Sequence, residues 1–116
     1  MGVKLASMET IPFDEFRKVK IKVGKVVEAS EIEGSKNLMR LKVDFGDEQK
    51  QAVAGILQWY KPNELEGRKF VFVTNIEPRN LMGIKSECMI LAAEGKDGRV
   101  VLLVPEKDVE EGSEVY

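Results

Sequence analysis

Two short segments set the strongest limit on the fold of this chain, because each alternates charged and apolar residues. They are residues 18–26, with the sequence KVKIKVGKV, and residues 40–45, with RLKVDF. Successive side chains of a β-strand point to opposite faces, so each segment predicts a strand with one buried and one exposed face. Gly24 interrupts the first pattern and β-branched residues continue to Ser30, so we expect a long strand that bends or bulges at the glycine.

The rest of the chain supplies further short strands around one helical segment. Residues 62–67 begin with proline and end with glycine, which predicts one or two helical turns. Asp97-Gly98 predicts a tight hairpin turn, because glycine adopts the positive φ that such a turn needs. Further strands are predicted at residues 49–54, 68–76, 87–94 and 100–104. The tail, residues 105–116, is expected to be extended or partly docked.

This order of elements predicts an all-β protein. Five strands with a short helix after strand 3 are typical of a five-stranded Greek-key barrel, the oligonucleotide/oligosaccharide-binding (OB) fold, here with N- and C-terminal extensions. An SH3-like barrel is the alternative, and it is disfavoured because a helix after the third strand is not its usual feature. We expect residues 1–11 to form a flexible leader, or Met8 to be the natural start, and residues 12–116 to form one domain.

The composition excludes several kinds of chemistry. The chain has 116 residues, 43% hydrophobic and 33% charged, which fits a single globular domain. It has no His and one cysteine, Cys88, so a disulfide, a metal site and a histidine-dependent enzyme are all disfavoured. We expect no cofactor, no metal and no catalysis; a hydrolase would need a base from a partner. No apolar run has membrane-spanning length, so we expect a soluble, cytoplasmic protein without a membrane partner.

Residues 75–91 are the least generic segment, and they connect two apolar runs. The segment is too long for a simple turn and too apolar for disorder, so we expect a structured binding loop. Met82 and Met89 offer apolar contacts. The segment also carries donors suited to phosphate, sugar or base edges: Asn75, Arg79, Asn80, Lys85 and Ser86. An ordinary crossover is the alternative, in which Asn75 caps a turn, Ser86 satisfies backbone groups and Met89 belongs to the core.

The net charge of −2 argues against bulk attraction to nucleic acid but permits a local basic face. If the first two strands pair, five outward cations would share one face: Lys18, Lys20, Lys22, Arg40 and Lys42. Opposed cations destabilise a sheet unless an anion covers them, and a phosphate backbone is a natural cover. The alternative is a solvated face balanced by acids, Glu28, Glu31, Asp44 and Glu48.

The sequence resembles a known family, the tRNA-binding domain found at the C-terminus of methionyl-tRNA synthetases, in free-standing tRNA-binding proteins and in endothelial monocyte-activating polypeptide. The resemblance runs from about Phe13 to Tyr116. It is carried by KVGKV at 22–26, LKVD at 41–44 followed by Gly46, VAGI at 53–56, Asn75, Pro78-Arg79, Gly83, Ser86 and MILA at 89–92. It implies the same barrel, binding of tRNA by shape, and action in trans or as a beta subunit or appendix of methionyl-tRNA synthetase.

The resemblance also implies the binding positions, which are Asn75, Arg79, Ser86 and Met89. The family often has Lys where this chain has Asn37, so we expect Lys36 to supply that charge from one place earlier. Cys88 stands where the family usually has Gly. With the cations from the strands and the loop, the expected tRNA-binding residues also include Lys22, Lys36, Arg40, Lys42 and Lys85.

Stand-alone members of the family are homodimers, so we expect a homodimer here. Apolar residues near the two chain ends are the expected interface: Phe13, Phe16, Val109, Val115 and Tyr116. The alternative function is a dimeric peptide-binding secretion chaperone of the same fold. A chaperone groove would be more apolar than the basic face described above.

Overall fold

The computed structural model describes residues 9–116, so Met8 and the part of the predicted leader before it lie outside the described residues. The elements are, in order, α1 (Phe13–Phe16), β1 (Ile21–Glu31), β2 (Met39–Asp44), β3 (Gln49–Ala54), a 3₁₀ helix (Pro62–Glu64), β4 (Lys69–Val73), β5 (Arg79–Leu81), β6 (Ile84–Ser86), β7 (Met89–Ile90), β8 (Ala92–Glu94), β9 (Val100–Leu102) and β10 (Glu114–Val115). Within these residues, no helix has the length and apolar character needed to cross a bilayer.

The strands form a nearly closed barrel, which confirms the predicted fold. The main sheet has the order β3-β2-β1-β4-β7, all antiparallel, and β10 pairs with the start of β1. The β8–β9 hairpin joins the barrel at Leu103, which accepts a hydrogen bond from the amide of Val71 and donates one to Leu91. The opposite edge is closed by reciprocal bonds between β3 and the chain after β6.

Alternation on β2 produces the core as expected. Leu41 and Val43 are fully buried, whereas Arg40 and Lys42 between them are exposed. Phe45 continues the buried face and packs edge-on against Phe72, with ring centroids 5.5 Å apart. The predicted alternation of buried and exposed side chains on the second strand is therefore confirmed.

Gly24 has a different role from the one predicted. The register of β1 against β2 shifts between Val26 and Glu28, so the bulge lies there and not at Gly24. A Cβ built on Gly24 would lie 2.5 Å from Cγ1 of Val43 and 2.6 Å from Cε1 of Phe45. Glycine is needed at this position because β1 crosses the core at close range.

Several predicted boundaries are wrong by a few residues. The first strand begins at Ile21 and not at Lys18, because the chain after α1 turns, with the amide of Val19 bonded to the carbonyl of Phe16. Val19 is consequently 42% exposed. The fourth strand ends at Val73, and the predicted fifth strand is divided into β7 and β8.

The predicted helix and hairpin are confirmed. The segment after β3 contains the 3₁₀ helix, where the amide of Lys61 donates to the Glu64 carboxylate at 2.7 Å. At the β8–β9 turn, Gly98 has a φ of 85°, and Oδ1 of Asp97 accepts the Arg99 amide at 3.0 Å. Asp-Gly therefore forms the tight turn for the expected reason.

Candidate nucleic-acid interface

The central segment is ordered as a β-hairpin, which confirms the prediction of a structured loop. β5 and β6 pair so that Arg79 faces Ser86, Asn80 faces Lys85 and Leu81 faces Ile84. The turn residues Met82 and Gly83 both have positive φ, at 54° and 80°. Positive φ at both central residues is the geometry of a type I′ hairpin turn.

Backbone groups of β3 attach this hairpin to the barrel by hydrogen bonds to Ser86 and Glu87. Oγ of Ser86 accepts the amide of Val53 at 3.0 Å and donates to the carbonyl of Cys88 at 3.3 Å. The amide of Gln51 donates to the Glu87 carboxylate at 3.0 Å, and the Glu87 amide donates to the Gln51 carbonyl at 2.7 Å. The hairpin is therefore held against the barrel by bonds to two alternate residues of β3, Gln51 and Val53.

Three of the predicted binding residues line one cavity of ≈ 240 Å³ at the base of the hairpin. These are Arg79, Ser86 and Met89. Arg79 is exposed and forms no ion pair with any residue in the 9–116 range. Its guanidinium can therefore donate hydrogen bonds to an external anion. Met89 is 43% exposed, so the alternative that placed it in the core is wrong.

Cys88 also lines this cavity, with 1% of its surface exposed. Burial raises the pKa of its thiol to about 12. The thiol therefore stays protonated and acts as a small apolar residue.

Arg40 and Lys42 extend the positive charge from the cavity across β2. Arg40 lies opposite Val53, and Lys42 lies opposite Gln51. Directly opposed residues of a sheet share a face, so Arg40 lies on the face where Val53 lines the cavity. Gln51 connects these groups, because its Oε1 accepts from Nε of Arg40 at 2.7 Å and its Nε2 donates to the Lys85 carbonyl at 2.9 Å. Sequence reasoning missed Gln51, since one amide in a strand carries no pattern.

The turn at residues 33–37 lies beside the tip of the hairpin. A Cβ built on Gly34 would be 3.4 Å from Cε of Met82. Ser35 stabilises the turn by accepting the amides of Asn37 at 3.3 Å and Leu38 at 3.1 Å. Lys36, which lies between Ser35 and Asn37 in sequence, is exposed. We call the surface made by this turn, the β5–β6 hairpin and the outward side chains of β2 and β3 the hairpin face.

Asn75 has a structural role that agrees with the turn-capping alternative. Its Oδ1 accepts the amide of Lys20 at 2.8 Å, and its Nδ2 donates to the carbonyl of Lys18 at 2.6 Å. The side chain thereby fixes the chain before β1 against the end of β4. One amide hydrogen and one lone pair remain, so contact between this exposed residue and a ligand stays a prediction.

The predicted single basic face across β1 and β2 is wrong. Lys22 pairs with Phe72 on one side and Glu114 on the other, whereas Lys42 faces Glu28 on β1. Lys22 and Glu28 are separated by about 20 Å along an extended strand. The first group of cations therefore lies apart from the second, which is Arg40 and Lys42; the first group is Lys18, Lys20 and Lys22. The residue of β1 that faces Lys42 is an acid, Glu28, as the solvated-face alternative expected.

A second cavity, of ≈ 470 Å³, lies between the two ends of the described chain. Four of the five predicted interface residues line it: Phe13, Phe16, Val115 and Tyr116. Lys22 also lines this cavity. Val109 is elsewhere, with its carbonyl accepting from Nζ of Lys69 at 2.7 Å. Phe13 is 70% exposed, so α1 leaves this aromatic ring open to solvent in the single chain.

Comparison with known proteins places this barrel among nucleic-acid-binding and chaperone relatives. Residues 21–114 match the family described as "Putative tRNA binding domain". A methionine–tRNA ligase from Archaeoglobus fulgidus is 47% identical over 114 residues, which cover 98% of this chain but only 17% of that protein. The chain thus spans a small part of that ligase.

Two solved structures resemble the whole barrel. A MetRS-related protein from Pyrococcus horikoshii has a TM-score of 0.90 and 42% identity, covering 94% of this chain and 100% of the other. The chaperone CsaA from Bacillus anthracis has a TM-score of 0.83 and 32% identity, covering 92% and 99%. Since the family match extends from β1 to β10, the chain belongs to the tRNA-binding domain family.

Proposed function

We propose that this chain is a non-catalytic module that binds tRNA through the hairpin face. The observation that carries the proposal is that Arg79 lies exposed, without an internal ion pair in residues 9–116, at a cavity that Ser86 and Met89 also line. A guanidinium forms strong, two-pronged hydrogen bonds with phosphate. The remaining cations of this face would contact the RNA backbone: Lys36, Arg40, Lys42 and Lys85.

The neighbouring residues have different proposed roles. The Ser86 hydroxyl proton is used internally, so Ser86 would accept a hydrogen bond from a base or sugar. Met89 would supply an apolar contact. Asn75 and Lys22 do not line the cavity that contains Arg79. They would instead contact a more distant part of an extended tRNA.

We further propose that the chain assists a methionyl-tRNA synthetase, in trans or as a beta subunit or appendix. The support is that its ligase relative contains a segment similar to nearly the whole chain. In this arrangement the synthetase performs the chemistry and the domain adds tRNA affinity. Such a role would place the protein in the cytoplasm with the translation machinery.

The test is a titration of fluorescently labelled tRNA with the parent protein and Arg79→Ala. We expect the variant to bind about tenfold more weakly, through loss of a charge-assisted contact. Its slope of log affinity against log salt should fall by about one, because one phosphate contact is lost. Arg99→Ala is the matched control, since Arg99 is also exposed but lies in the β8–β9 turn. Equal affinity of Arg79→Ala and the parent would contradict the proposed site.

We propose that two copies associate through the cavity between the chain ends. Its lining includes large apolar side chains that a single chain leaves exposed, with Phe13 at 70% and Tyr116 at 102% relative exposure. A second copy would remove this surface from water. Dimerisation would also present two hairpin faces, which strengthens binding to one tRNA without new contacts.

The second candidate function is peptide binding. The observation in its favour is the same apolar cavity together with the 32% identity to the chaperone CsaA. An unfolded, uncharged peptide titrated against the same sample distinguishes the two functions. Tight peptide binding with a flat salt profile would favour the chaperone function, whereas tRNA affinity that falls steeply with salt supports the leading proposal.

A further inference from the structure

Met82, at the tip of the β5–β6 hairpin, has an unfavourable backbone conformation. Among residues 9–116 it is the only residue other than glycine with a positive φ, at 54°. Type I′ turns usually place Asn, Asp or Gly at this position, because other side chains clash with the backbone there. Residues kept in such conformations are concentrated at binding sites, where the side chain serves a purpose beyond stability.

The Met82 side chain lies across the gap between two loops. It is 56% exposed, yet its methyl group lies beside Gly34, at 3.4 Å from where a Cβ would be built. Gly34 has a φ of 86° and no side chain, so the Met82 methyl group approaches its backbone without being covered by a side chain there. The result is an apolar surface at the outer end of the hairpin face.

Three polar or charged residues lie near this surface in sequence or in strand register. Lys36 follows Gly34 by two residues. Asn80 and Lys85 form the second cross-strand pair from the turn, after Leu81 and Ile84, and all three polar residues are exposed. An apolar surface with cations at its edge fits a flat, uncharged ring attached to a phosphate. A nucleotide has this chemistry.

We propose that Met82 and Gly34 form a subsite for one unpaired nucleobase of the bound RNA. This inference rests on the proposed tRNA binding and deepens it. The polarisable thioether would contact the face of the base, and Lys36 or Lys85 would contact the adjoining phosphate. Because every base has such a face, the subsite would detect an unstacked loop nucleotide whatever its identity.

The test compares tRNA binding by the parent and by Met82→Gly. Glycine suits the positive φ, so the unfolding midpoint should stay equal or rise. We expect tRNA affinity to fall about fivefold, because the contact with one base is lost. The slope of log affinity against log salt should stay unchanged, since no phosphate contact is removed. Met82→Asn, whose side chain also tolerates this conformation, should behave in the same way.

Two controls define the site. Val101→Asn removes an exposed apolar side chain on β9, outside the hairpin face, and should leave tRNA affinity unchanged. A fully paired RNA duplex should bind the parent and Met82→Gly equally, because it offers no unstacked base. Unchanged tRNA affinity of Met82→Gly, or equal weakening for tRNA and duplex, would overturn the subsite. Failure of the parent itself to bind tRNA would refute the proposed function instead.

Discussion

At the scale of single residues, Gly24 provides the sharpest test of packing. Gly24→Ala would place a Cβ 2.5 Å from Cγ1 of Val43 and 2.6 Å from Cε1 of Phe45, inside the core of the barrel. We expect the free energy of unfolding to fall by about 1–3 kcal/mol, as for other overpacked cores. Urea denaturation measures the change.

Gly55→Ala is the matched control for this prediction. The nearest atom to its new Cβ would be Cδ2 of Leu38 at 3.9 Å, an ordinary contact, and its φ lies outside the left-handed region. Its stability should equal or slightly exceed that of the parent. If both alanine variants are equally stable, the close approach of β1 to Val43 is not a real constraint.

Single residues also show where sequence reasoning succeeds. The donor types at Arg79 and Ser86, and the family pattern around them, identified two residues that do line a common cavity. The hydrogen-bond partners of Asn75 could not be predicted, because they are backbone atoms of Lys18 and Lys20, 57 and 55 residues away. Such a contact exists only after the barrel has formed.

At the scale of elements, Lys69 attaches the C-terminal segment to β4. Its Nζ lies 2.8 Å from Oδ1 of Asp108 and 3.2 Å from Oε1 of Glu111, and its side chain is 19% exposed. The hydrogen bond from Lys69 lowers the pKa of Asp108. A backbone hydrogen bond and Lys69 lower the pKa of Glu111, and the bond with Asp108 raises the pKa of Lys69.

These shifts predict loss of the attachment in acid. A carboxylate with a lowered pKa stabilises the fold above its unfolded-state pKa, about 4, and this contribution disappears as pH falls through the folded-state value. We expect Asp108→Asn with Glu111→Gln to be less stable than the parent at pH 7, and the difference to shrink below about pH 4. Denaturation at each pH measures it. At the alkaline end, the contribution of Lys69 would be lost as pH rises through its raised pKa.

Glu106→Gln is the control for the acid prediction. Glu106 lies in the same segment, and within residues 9–116 it belongs to none of the ion pairs. This variant should follow the parent at every pH. A double variant whose stability difference stays constant down to pH 2.5 would show that Asp108 and Glu111 do not carry the acid sensitivity.

Elements differ in how far local sequence determines them. Asp97-Gly98 predicts its hairpin because both residues favour the turn. The turn at Met82-Gly83 could not be predicted in the same way, because methionine is unusual at a position with positive φ. The predicted placement of Lys22 beside Lys42 was wrong because it depends on the register of β1 against β2, which shifts between Val26 and Glu28. β10 is two residues long and pairs with a strand near the other end of the sequence, so no local pattern indicates it.

At the scale of the whole molecule, the cavity between the chain ends predicts the oligomeric state. We expect light scattering at micromolar concentration to give twice the chain mass of 13.0 kDa. Phe13→Ser combined with Tyr116→Ser removes two exposed aromatic rings from the cavity and should shift the protein to monomer. The monomer should also bind tRNA more weakly, because the second hairpin face is lost.

Val101→Ser is the control for dimerisation, because Val101 is also exposed and apolar but does not line this cavity. It should remain dimeric. A parent protein that scatters as a 13.0 kDa particle would end the proposal of a homodimer, although binding of one tRNA by one chain would still be possible.

The position of Cys88 has a practical consequence for measuring contacts between the protein and RNA. It is the one cysteine of the chain, and its protonated, inaccessible thiol should not react with maleimide dyes in the native protein. A cysteine introduced at Lys36 could therefore be labelled selectively without first removing the native one. Energy transfer from a fluorophore there to a labelled tRNA would then report which end of the RNA approaches the hairpin.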